Sequence, residues 1–152
     1  MNVDLYLGLL HSGERVLGQS FRLVAATHGD EPDVHELCLT LAEQCEEHAR
    51  RLGTVIDRYG ERPDDEPTRF HAVALTEGRT GPVGLLRDLQ DLRVLARLVD
   101  DSGTVLRQAA LALRDEELRA LLEDCRAETA NQEAWLLTRI KQAAPQALLV
   151  AA

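Results

Sequence analysis

Leu41-Ala42-Glu43-Gln44-Cys45-Glu46-Glu47-His48-Ala49-Arg50-Arg51-Leu52 is the stretch on which the reading of this chain turns. Leu37, Leu41, Cys45, His48, Leu52 and Ile56 recur at steps of three and four, the spacing that lines one face of a helix. The stripe is apolar apart from one histidine. An imidazole in that position is either a hydrogen-bonded core histidine or a metal ligand. Glu46 and Glu47 adjoin it in sequence but point elsewhere around the helix.

The same periodicity continues on both sides. Leu10, Glu14, Leu17, Phe21, Val24 and His28 keep helical step and predict a first helix over about 4–27. Gly8, Gly13 and Gly18 weaken it, each by roughly 1 kcal/mol against Ala. They either permit close approach of a neighbouring helix or mark a later start near Ser12. Gly29-Asp30 ends this helix, with Asp30 as the expected N-cap of a second helix over about 31–59. So short a link makes the two antiparallel. Gly60 ends the second helix.

A polar, proline-containing connection of about twenty residues follows, roughly 60–82. That is long for a hairpin. The second helix should be roughly 42 Å long at 1.5 Å per residue, and an extended chain of that length spans it. The connection can therefore cross from one end of a bundle to the other. A third helix begins near Pro82, with Thr80 or Gly81 as cap, and runs to about Leu113 on Leu85, Leu89, Leu92, Ala96, Val99, Gly103, Leu106 and Ala110. Arg114-Asp115 makes a tight turn. The fourth helix, about 116–143, carries Leu118, Leu122, Cys125, Thr129, Gln132, Leu136 and Ile140 in step, and Pro145 stops it. The expected fold is all-α: one domain over residues 1–152, a four-helix bundle of two antiparallel hairpins, with the second and third helices parallel.

Composition agrees with this and narrows the function. Only 3% of residues are aromatic while 45% are hydrophobic, so the core is built from Leu, Val and Ala, which suits packed helices better than a sheet. A formal net charge of −9 argues against nucleic acid and against anionic membranes as partners. No apolar run approaches the roughly 18 residues of a membrane span. Cys38, Cys45 and Cys125 cannot all pair within one chain, and the N-terminal residues lack the pattern of a signal peptide. Reduced thiols in a cytoplasm are the expectation.

The crossover connectivity resembles the ferritin-like superfamily. The tail Trp135-Leu136-Leu137-Thr138-Arg139-Ile140-Lys141-Gln142-Ala143-Ala144-Pro145-Gln146-Ala147-Leu148 is similar to the end of small bacterial ferritin-like proteins of no assigned activity. The resemblance implies a dimetal centre with one Glu from each of two helices and a Glu-x-x-His from each of the other two. Chain arithmetic places four residues at similar depth. Glu14 lies about 16 residues before the first turn and His48 about 18 after it; Asp101 lies about 13 before the last turn and Glu128 about 14 after it. These four are the candidate metal ligands. The motif is broken twice: position 45 is Cys where the family has Glu, and position 131 is Asn where it has His.

Three readings are open. One is a ferritin-like bundle with a degenerate site, serving as a structural or interaction module, as a homodimer. The second is a metal-binding protein or oxidase with a remodelled site at Glu14, His48, Glu128 and Asp101; iron, another divalent metal and no cofactor at all stand level. The third is an unrelated helical adaptor with an acidic face for a basic protein, which antiparallel second and third helices would favour. Whether the protein is an enzyme is left open. The other histidines, His11, His28, His35 and His71, show no partner pattern and are expected at the surface. Trp135 is expected to pack between helices or between subunits.

Overall fold

Apolar residues at three- and four-residue steps build four long helices: α1 (Val3–Thr27), α2 (Pro32–Tyr59), α3 (Gly81–Leu113) and α4 (Glu116–Pro145). The structure is a computed structural model and describes residues 2–60 and 73–150. Among them there is no strand, and no helix is long and apolar enough to cross a membrane. The acidic segment Asp64-Asp65-Glu66, Phe70 and His71 lie outside the described residues.

Local chemistry sets the boundaries. Pro32 and Pro82 open α2 and α3, where a missing N–H costs nothing. Glu31, rather than the expected Asp30, is the N-cap of α2 and makes no side-chain cap bond. Asp115 caps α4, accepting from the Leu118 N–H at 3.1 Å. Arg114 closes α3 in the left-handed region at φ 55°, and Asp115 N donates to Ala110 O at 3.0 Å, a Schellman-type closure. Pro145 cannot donate the next helical bond, and the chain continues as a wider π-helical turn over Gln146–Val150, with Ala147 tucked against the bundle.

Packing follows from small residues. A Cβ on Gly18 would meet Cys45 Cβ at 3.2 Å, so α1 and α2 approach closely there. A Cβ on Gly13 would meet Val99 at 3.3 Å, so α1 also lies close on α3. The glycines that weaken α1 thus provide its contacts. The core is a continuous cluster of Leu, Val, Ala and Cys with Phe21 at its centre. Trp135 lies half-buried against it.

Contacts along the helices give their directions. Gly13 sits at Val99 and His28 at Asp88, so α1 and α3 are antiparallel. Asp33 pairs with Arg139, and Arg58 with Asp115, so α2 and α4 are antiparallel too. Since α1 and α2 are antiparallel across their short turn, α2 and α3 run parallel. The antiparallel arrangement that would favour an unrelated adaptor is not what forms.

The end of the crossover is tied down by residues the sequence reading assigned to the surface. His28 is buried, with Nε2 2.9 Å from Asp88 Oδ2. Arg79 donates to the same carboxylate through its backbone N (3.0 Å) and Nη1 (2.9 Å). Leu75 N donates to Ser20 Oγ at 3.2 Å, and a Cβ on Gly78 would overlap the Thr27 side chain. His35, half-buried, donates through Nδ1 to Ala25 O at 2.8 Å. Asp88→Ala should leave His28 buried without its carboxylate. We expect a loss of about 3 kcal/mol or more in denaturant unfolding, with faster amide exchange over residues 73–80. Unchanged exchange there would show that Asp88 does not hold the crossover.

Candidate functional site

The buried polar residues of α1, α2 and α4 meet at mid-height. Glu14 projects from the inner stripe of α1, His48 from that of α2 and Glu128 from α4. His48 Nδ1 lies 3.1 Å from Glu14 Oε1, and His48 Nε2 lies 3.0 Å from Glu128 Oε1. Three of the four candidate ligands therefore do come together, as a linear carboxylate–imidazole–carboxylate bridge. The side chains of Glu14 and His48 are 1% exposed and that of Glu128 is 43% exposed, so the bridge leads from solvent at the α2–α4 seam to the centre of the bundle.

Asp101 is not part of it. Its side chain is 62% exposed on the outside of α3 and pairs with Arg97 at 3.3 Å. One residue turns a side chain about 100° around a helix, so the neighbour Asp100 faces inward instead. Asp100 and Glu14 line a small cavity with Val99, Cys125 and Thr129. The cavity holds about 10 Å³, room for a single water. Glu14 Oε2 and Asp100 Oδ1 are both buried without a hydrogen-bond partner among the described residues.

The breaks in the Glu-x-x-His pattern are filled by other groups. Cys45 Sγ lies 3.9 Å from Gln132 Oε1, and Gln132 Nε2 donates to Gln44 Oε1 at 3.1 Å. Gln132 is fully buried, one turn beyond Glu128, whereas Asn131 is exposed. Gln132 stood on the sequence stripe of α4, but its polar partners lie 87 and 88 residues away in the chain. Burial pushes all three thiols up, Cys38 and Cys125 to about 12, and Glu14 adds to the rise at Cys45. Burial of this kind favours the neutral thiol over the thiolate.

Two opposing effects act on His48. Burial alone would lower its pKa. The hydrogen bonds and charges of Glu14, then of Glu128, outweigh it, and the net shift is upward. A carboxylate oxygen facing each ring nitrogen suits the doubly protonated imidazolium, which donates to both. Both ring nitrogens thus face carboxylate oxygens of the chain itself. With Cys at 45, exposed Asn131 and exposed Asp101, the residues do not fit a dinuclear centre. Among the described residues no three His, Cys, Asp or Glu side chains are arranged to hold a metal ion.

The chain matches no protein-family model, no curated protein and no solved structure.

A raised pKa in the folded state makes stability depend on pH in one direction. The contribution of the imidazolium is complete below the unfolded value of about 6.5 and is lost as pH rises through the folded value. Wild type should therefore exceed His48→Gln in unfolding free energy most at pH 6, and the gap should shrink towards pH 9. A gap that widens with pH would mean that His48 is neutral in the bridge.

Proposed function

We propose that this protein is a ferritin-like bundle in which an imidazolium bridge stands where the superfamily's dimetal centre would be. On this reading it acts as a structural or interaction module, not as an oxidase. The observation that carries the reading is that both nitrogens of His48 are spent on Glu14 and Glu128. The parallel α2 and α3 joined by a long crossover support the ferritin-like assignment. In the dimetal proteins the interior carboxylates are neutralised by cations. Here His48 stands between two of those carboxylates and, when protonated, offsets one of their two charges.

Elemental analysis of untagged protein grown with supplemented iron and zinc tests this first. We expect no stoichiometric metal. We also expect a melting temperature moved by less than about 1 °C on addition of Fe²⁺, Mn²⁺ or Zn²⁺, since a ligand specific to the native state must stabilise it. About one or two metals per chain, lost in His48→Ala, would overturn the proposal and make oxidase assays the next step.

One observation favours a second reading. Glu14 Oε2 and Asp100 Oδ1 have no hydrogen-bond partner among the described residues, and their side chains share a single-water cavity. Two carboxylate oxygens suit one small, hard divalent cation. That reading requires a metal-dependent rise in melting temperature that Glu14→Gln and Asp100→Asn each abolish, with His48→Gln retaining it.

A further inference from the structure

The outer face of α3 carries a pattern that neither the core nor the bridge uses. Val83, Val94 and Val105 are 53%, 69% and 49% exposed. They recur every eleven residues, three turns of helix, so they fall on one line within about 20° of each other at each step. Isolated surface valines are ordinary. Three on one line, over about 33 Å of helix, mark a face on which Arg87, Gln90 and Asp101 stand between the valines.

The face is symmetric about its middle. Arg87 lies seven residues before Val94 and Asp101 seven residues after it, both on the same face. Both are exposed. Among the described residues Arg87 has no ion pair, and Asp101 has only the edge contact with Arg97. Beside Val94 a groove of about 550 Å³ runs between α3 and α4, with Leu137 and Ile140 among its lining residues.

We propose that this face is a two-fold interface with a second copy of the chain, the two α3 helices crossing antiparallel at Val94. A two-fold contact needs a surface complementary to itself. Turning a second α3 about an axis through Val94 sets residue i opposite residue 188 − i. Val94 then meets its own mate, Val83 meets Val105, and Arg87 meets Asp101, each of the last two pairings made twice. The groove receives side chains from the same face of the partner. Each chain carries −9, so long-range repulsion opposes association. The two Arg87–Asp101 pairs place opposite signs at the contact and fix its register. This inference is independent of the bridge and holds whether or not a metal binds.

Sedimentation and cysteine cross-linking test it on the full chain. All three native cysteines are buried and free, so background linking is low. Wild type should sediment as a dimer. Val94→Cys, at an exposed site, should form a disulfide dimer under mild oxidant. Val105→Cys alone should not, because it lies about 33 Å along the axis from its mate, but a mixture with Val83→Cys should. Arg87→Asp should weaken the dimer about tenfold, and the exchange Arg87→Asp/Asp101→Arg should restore it. A wild-type monomer at every attainable concentration would overturn the proposal. So would a dimer that does not link through position 94, or one unmoved by Arg87→Asp. Circular dichroism of each variant confirms that it is folded.

Discussion

A buried imidazole must find an acceptor for each protonated nitrogen, and in this bundle the two acceptors come from two different helices. Glu14 reaches His48 from α1 and Glu128 reaches it from α4. That bridge crosses the bundle at mid-height and fixes how α2 turns its inner face. Glu14 would be a costly charge at the centre of a leucine core without it. His48 would be equally costly without both carboxylates. The two buried groups, Glu14 and His48, offset each other's cost, and Glu128 completes the bridge from the solvent side.

The rest of the packing grades outward from this point. Glycine at positions 13 and 18 brings α1 close to α3 and α2, and these contacts are tight. The α2–α4 seam is different. It is laced by polar side chains along its length, from Arg139 on Glu31 and Asp33 at one end to Arg58 and Tyr59 on Asp115 at the other. Most of these pairs are partly exposed and individually weak. Glu128 sits in the same seam, so the buried bridge has its one solvent-facing member there. The crossover is anchored separately, by the buried carboxylate of Asp88 holding His28 and Arg79. These polar clusters, with buried Gln132 on Gln44 and Cys45, interrupt a core that is mainly aliphatic.

The outer faces divide the remaining work. The net charge of −9 keeps most of the surface hydrated and repulsive to other acidic surfaces. The outer face of α3 is the exception, with valines at regular spacing and its charges balanced in sign.

The amino-acid sequence by itself determined the helices, because apolar residues at three- and four-residue steps, prolines at helix starts and glycines at their ends are local signals. It also determined the length of the crossover, and with it the parallel course of α2 and α3. Glu14 and His48 were legible as interior polar residues from their stripes, and Glu128 only as lying at the same depth. Only the tertiary structure shows which of them meet. Whether a carboxylate meets an imidazole directly or through a metal depends on distances between helices far apart in the chain. The choice between Asp100 and Asp101 is a matter of about 100° of helix rotation, finer than stripe counting can place. The burial of His28 was illegible for the same reason: its partner Asp88 is sixty residues away, and only the folded crossover brings α3 to the end of α1.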